Sequence, residues 1–213
     1  SFLDCGSLEN IKIPKTVVSI CEYAFNGSTK LDRIKIPDSV VSIGKATFSG
    51  CTSLNSITIP DSVISIGKEA FIGCMGLKSI KIPNGVTSIG VNAFSGCLSL
   101  NDITMSSNLT TIGNYAFNNC KSLTNVIIPN SVARIGDAAF KGCTGLTSIT
   151  MPKGMTGIGH SAFSDCQKLK NVTIPDSVTS VGNSAFENCT ELESISLSGN
   201  MTKIGNSLFK GCT

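Results

Sequence analysis

The sequence predicts a solenoid: a coil of 23-residue repeats with a parallel β-sheet on one face and short strand and helical turns on the other. Three observations carry this. Leucine recurs at Leu8, Leu31, Leu54, Leu77, Leu100, Leu123, Leu146, Leu169 and Leu192, always 23 residues apart, and such a fixed short period marks stacked repeats. Each copy then alternates apolar and polar residues over a few positions, the period of a strand with one buried face. All ten Phe of the chain fall in one column, from Phe2 to Phe209.

The strand comes first. Counting the leucine as position 1, position 4 is Ile or Val (Ile34, Ile57, Val126) and position 6 is Ile, Met or Leu (Ile36, Ile59, Met105), while positions 3 and 5 are mostly polar. Identical strands related by translation must lie parallel to one another, in a sheet expected to run the length of the molecule. Position 7 is Pro in seven copies, among them Pro37, Pro60 and Pro83, and proline ends the ladder because it has no N–H to donate. Ser106 and Ser198 replace it in two copies. Asp38-Ser39, Asn84-Gly85 and Asn130-Ser131 follow the proline position as turn formers.

The second half reads V-x-x-I-G-x-x-A-F-x-G-C. Its V-x-x-I-G portion suits a second short strand, and x-x-A-F-x-G suits one 3₁₀ or α turn. Only Gly, Asn and Asp occupy position 20 in full copies, from Gly27 to Gly211, which predicts a left-handed residue there. Position 14 is Gly in every copy except Cys21, through positive φ or through close packing. The Phe column fits a ladder of offset stacked rings in the core.

Nine of ten cysteines occupy position 21 and Ser28 takes the remaining place in that column. Equivalent residues in adjacent coils have parallel Cα–Cβ vectors, whereas a disulfide needs Cβ atoms about 3.8 Å apart and pointing together. There is no C-x₂-C pair and only one His, so no metal set is expected. The column is read as buried free thiols behaving as small hydrophobes.

One coil buries too few apolar side chains to offset the entropy of ordering its backbone, so the copies must fold together. The chain is therefore read as a single array over residues 1–213: nine repeats opening at the leucines above, and a partial repeat at 1–7. No polar capping unit is apparent at either end. The array is expected to be a fragment of a longer protein or to associate end to end.

Composition narrows the function classes. A net charge of +3 on 213 residues gives no reason to expect nucleic acid. No apolar run approaches the roughly 20 residues of a membrane helix, so no direct membrane insertion is expected. His160 is the single histidine, at a position held elsewhere by Lys45, Asn114 or Asp137, and reads as a surface residue. Asp38 and Asp61 read as solvated turn carboxylates rather than a glycosidase pair. Gly154, Gly157 and Gly159 lack the spacing of a phosphate loop. Sequons at Asn26, Asn108, Asn171, Asn188 and Asn200 matter only in a secreted eukaryotic protein. No catalytic residue, cofactor or metal is expected.

The exposed strand positions are the better candidates. Positions 3 and 5 form a continuous face two residues wide. Its first half is basic, through Lys12, Arg33, Lys35 and Lys81 beside Asn10. Its second half carries Asn125, Thr150, Asn171 and Thr173, with Ile127 an apolar exception. These ten residues are the candidate ligand-binding face, since repeat arrays bind along such surfaces.

The unit L-x-x-I-x-I-P-x-x-V-x-x-I-G-x-x-A-F-x-G-C closely resembles the leucine-rich repeats of the BspA-like (Treponema-type) class, across the whole chain. The resemblance implies a right-handed leucine-rich repeat solenoid. It implies a non-enzymatic surface or secreted module, extracellular or on the cell surface, that adheres to host matrix or cell-surface proteins. The partners it implies are protein or cell-surface glycoconjugate ligands. Two other readings remain: a structural spacer that self-assembles end to end, and an intracellular interaction scaffold suited to free thiols.

Overall fold

The repeat folds as one turn of a coil, and a computed structural model describes all residues 1–213. Each full turn contributes a front strand at positions 3–5, and eight of the nine add a shorter back strand at positions 12–13. In chain order the strands are β1 (Asn10–Lys12), β2 (Ser19–Ile20), β3 (Arg33–Lys35), β4 (Ser42–Ile43), β5 (Ser56–Thr58), β6 (Ser65–Ile66), β7 (Ser79–Lys81), β8 (Ser88–Ile89), β9 (Asp102–Thr104), β10 (Thr111–Ile112), β11 (Asn125–Ile127), β12 (Arg134–Ile135), β13 (Ser148–Thr150), β14 (Gly157–Ile158), β15 (Asn171–Thr173), β16 (Ser180–Val181) and β17 (Ser194–Ser196). Every pairing is parallel and joins residues 23 apart, as in Ile34 with Ile57. All nine front strands expose both outer residues, and six bury the central one, such as Val126, Ile149 and Val172, while Ile11, Ile103 and Ile195 are half-buried.

The expectation of one long front sheet needs correcting. The uninterrupted ladder is the back one, eight strands from β2 to β16. The front strands fall into three ladders: β1–β3–β5, β7–β9, and β11–β13–β15–β17. Where Ser106 replaces proline, its hydroxyl accepts the N–H of Asn108 at 3.1 Å and forms the turn by side-chain bonding instead.

The arc from position 14 to position 21 is not a helical turn. Positive φ occurs at position 20, as the sequence predicts (Gly50, 69°; Asn119, 58°), and also at position 16. There the residues are Tyr23, Ala46, Glu69, Asn92 and others with no common chemistry. Each reversal lets alternate N–H groups face the next coil: Ala46, Phe48 and Gly50 donate to Lys68, Ala70 and Ile72 at 2.8–2.9 Å. The remaining N–H groups close local turns, as Ser49 does to Ala46 at 3.2 Å. The position-16 strain persists because three bonds per coil hold the arc in place.

Position 14 needs glycine for space. None of these glycines has positive φ. A Cβ on Gly67 would stand 2.8 Å from the backbone carbon of Gly44 in the coil before it. Cys21 is the first residue of the column, so it has no earlier coil against it and is exposed.

Inside, 56 buried residues form a single cluster running through the coils, so no coil has a core of its own. Neighbouring Phe rings stack with centroids 5.2–5.5 Å apart from Phe2 to Phe186, widening to 6.1 Å at Phe209. The thiols do more than fill space. Cys97 Sγ donates to the carbonyl of Phe71 in the preceding coil at 3.2 Å, and Cys74 and Cys120 repeat the contact with Phe48 and Phe94. Ser28 belongs in this column for the same reason: it is fully buried and its hydroxyl donates to Phe2 O at 3.0 Å. Burial pushes Cys97 and Cys143 up to about 12, against weaker lowering by a backbone hydrogen bond. The interior thiols are therefore protonated donors.

Candidate functional site: the front strand face

Strand alternation decides what the front face displays. Because Ile34 points into the core, Arg33 and Lys35 must point out, and parallel register sets their equivalents beside them. Asn10 lies opposite Arg33 and Lys12 opposite Lys35. All ten candidate residues are exposed on this face.

The structure brings only some of them together. Lys12, Arg33 and Lys35 cluster on β1 and β3. Lys35 borders three open hollows, and two of them gather further lysines. One, of about 780 Å³, is lined by Glu9, Asn10, Ile11, Lys30, Asp32, Arg33, Lys35 and Ser53. The other, of about 520 Å³, is lined by Ile11, Lys12, Ile13, Lys15, Lys35, Pro37, Asp38 and Ser39. Lys15 and Lys30 were missed from the sequence because they lie off the strand, at positions 8 and 23. Their closeness to Lys12 and Arg33 in the chain was the available signal. Lys81 stands apart on β7, opposite Thr104 and on a separate ladder.

Charge within the cluster is unevenly matched. Arg33 pairs with Asp32 at 3.3 Å, and Asp32 also accepts from the Asn55 amide. Lys12, Lys15, Lys30 and Lys35 make no ion pair, although Lys12 and Lys35 sit directly opposite each other. Like charges so placed repel and cost stability.

The second half of the face is arranged differently. Asn125 Oδ1 accepts the Ser148 hydroxyl at 2.6 Å and the Thr147 hydroxyl at 3.2 Å, and Asn171 accepts from Ser194. These amides are spent on a polar ladder between coils. Thr150, Asn171 and Thr173 border a hollow of about 620 Å³ with Lys153 and Asp176. Ile127 lies outside the hollows and is 75% exposed.

Elsewhere the chemistry-bearing residues serve the scaffold. His160 Nδ1 accepts the N–H of Asn183 at 3.0 Å, and the His160 N–H donates to Asp137 Oδ1 at 2.8 Å. Asn114 and Asn183 cap the following coil in the same way, so the histidine is one rung of an acceptor column. No three His, Cys, Asp or Glu side chains are placed to share a metal ion. No helix is long and apolar enough to cross a membrane.

The family model for the BspA type leucine rich repeat region (6 copies) matches residues 1–124 and 110–213. Among solved structures, a leucine rich cell surface protein of Faecalibacterium prausnitzii is 34% identical, with a TM-score of 0.67 over 95% of this chain and 64% of that one. A leucine rich repeat protein of T. pallidum is 30% identical, with a TM-score of 0.59 over 88% of this chain and 79% of that one. The pneumococcal vaccine antigen PcpA, 19% identical with a TM-score of 0.58 over 96% of this chain and 65% of that one, shares the fold. The chain thus spans less than two thirds of the length of the F. prausnitzii and pneumococcal proteins. No curated protein matches it. A 23-residue unit kept through nine coils, the Phe and Cys ladders it builds, and a family model that spans the chain end to end lead to one conclusion: the chain belongs to the BspA-type leucine-rich repeat family.

Proposed function

We propose that the chain is a non-enzymatic binding module, displayed on a cell surface or secreted, that engages host matrix or cell-surface ligands through its front strand face. The observation that carries this reading is the cluster of unpaired lysines on β1 and β3. Interior columns explain the Phe, Cys, Leu and position-14 Gly residues as scaffold, whereas Lys12 and Lys35 are held side by side at a cost in repulsion with no structural return. Display at a surface rests on kinship with a protein described as a leucine rich cell surface protein.

The test is binding of the full chain to immobilised matrix proteins and to host cells. Lys12, Arg33, Lys35 and Lys81 are reversed to Glu in one variant; Lys68, Lys141, Lys168 and Lys203 are reversed in a second. Loss of binding in the first variant alone supports the strand face. Equal binding by both variants, or loss confined to the second, overturns it.

A further inference from the structure

Resting on the strand-face reading, we infer that the ligand of the basic cluster is a linear, sulfated or carboxylated polysaccharide that crosses the first two coils over Lys35. Three features of the site select this chemistry. First, the cations converge. Lys12, Lys15 and Lys35 border one hollow, and Lys30, Arg33 and Lys35 border the next, so Lys35 stands at the junction of a continuous path. Second, cations outnumber the free acids along the path: Asp32 is occupied by Arg33 and Asn55, leaving Glu9 in the larger hollow and Asp38 in the smaller one against Lys12, Lys15, Lys30 and Lys35.

Third, these two hollows lack the anchors of a protein interface; the adjoining hollow that holds Phe2 and Phe25 does not reach Lys15 or Lys35. Tight protein interfaces are anchored by aromatic or aliphatic side chains that fill desolvated pockets. The larger hollow offers Ile11 as its one hydrophobic residue, and the smaller offers Ile11 and Ile13 on its floor. Neither contains an aromatic residue or a methionine. A hydrated polyanion needs no such anchor: it needs exposed, unpaired cations at a regular spacing. Strands β1 and β3 set two cationic rows roughly 4.8 Å apart along the axis, comparable to the length of one sugar residue in a chain. Lysine suits the task because its ammonium is a mobile point charge that follows an irregular pattern of sulfates or carboxylates.

The test uses the full chain and three probes: size-defined heparin oligosaccharides, the same oligosaccharides after desulfation, and poly-glutamate of matched charge. One variant carries K12Q, K15Q and K35Q; a charge-matched control carries K121Q, K168Q and K203Q. Heparin binding is expected to weaken as NaCl rises, to fall about tenfold or more in the first variant, and to stay unchanged in the control. Poly-glutamate is expected to bind at least about tenfold more weakly than heparin, and the desulfated oligosaccharide, which keeps its carboxylates, to lie between the two as its lower charge dictates. No heparin binding, or equal loss in both variants, overturns the inference. Tighter binding of poly-glutamate, abolished in the first variant, overturns the polysaccharide class while leaving the strand face intact. Failure of the strand face itself is read separately, from cell and matrix binding that ignores the charge reversals.

Discussion

Replacing Gly113 by Ala tests why the position-14 column is glycine. A Cβ built there falls 2.8 Å from Ile89 O, 2.9 Å from Gly90 C and 3.0 Å from Val91 N, against 3.4 Å for ordinary contact. The crowding atoms are backbone, so no side chain can swing away. The coils must part by about 0.6 Å, at roughly 1–3 kcal/mol by analogy with overpacked cores. Parting also stretches the Gly113 N–H bond to Ile89 O, now 3.0 Å, beyond useful reach. That loss adds about 0.5–1.5 kcal/mol. Reduced entropy of the unfolded chain returns about 0.4–1 kcal/mol. The net expectation is a loss of about 0.5–4 kcal/mol, or one to several degrees in Tm at about 2–4 °C per kcal/mol. Thermal and urea unfolding followed by circular dichroism measures it. Gly154→Ala is the control: nothing lies within 4 Å of its Cβ and its φ is not positive, so stability should hold or rise slightly. A Gly113→Ala protein as stable as the parent would refute the steric account of the column.

Three further outcomes follow from the interior and the acceptor column. The buried thiols carry folded pKa values raised above the unfolded one, so their stabilisation is complete below about pH 8.5 and is lost as pH rises towards 12. Unfolding free energies from urea titration should therefore fall steadily above pH 9, by up to about 1.4 kcal/mol per pH unit for each deeply buried thiol, and a flat profile to pH 11 would contradict the burial. In the native protein at pH 8, a thiol reagent should label exposed Cys21 rapidly and Cys74, Cys97 and Cys120 only on unfolding, as mass spectrometry of the digested protein would show. His160→Asn should keep the acceptor for Asn183 and match the parent, while His160→Leu should cost about 1 kcal/mol in urea unfolding; equal stability of the two variants would remove the histidine from the column.

Features set by side-chain size and backbone chemistry were legible in the sequence. Ile34 and Ile57 gave the strand phase, Pro37 and Pro60 its end, Phe48 and Phe71 the ladder, and Gly50 a left-handed residue. Position 16 was not legible, because Tyr23, Ala46 and Glu69 share no preference for positive φ; hydrogen bonds between coils impose it. The position-14 glycines were visible but ambiguous, and the deciding distance is to another coil. The Cys97 bond to Phe71 spans 26 residues, so no local pattern announces it, although Ser28 was a hint that the column favours a donor. At the site, alternation exposed Lys12, Arg33 and Lys35. The inclusion of Lys15 and Lys30, and the separation of Lys81, depend on how turns and ladders sit in space.

The Phe ladder has a consequence for how such a molecule can change. A ring and a leucine recur in every full coil, and a thiol and a glycine in all but one, each against its counterpart in the next. One inserted residue between them would throw the rest of that turn out of step with both neighbours. Length variation within a coil is therefore closed to this architecture, as the constant 23-residue interval reflects. Two routes stay open: exchanging residues on the outer face, and gaining or losing whole turns. The first rewrites what the surface recognises, and the second extends or shortens it by one strand's width at a time.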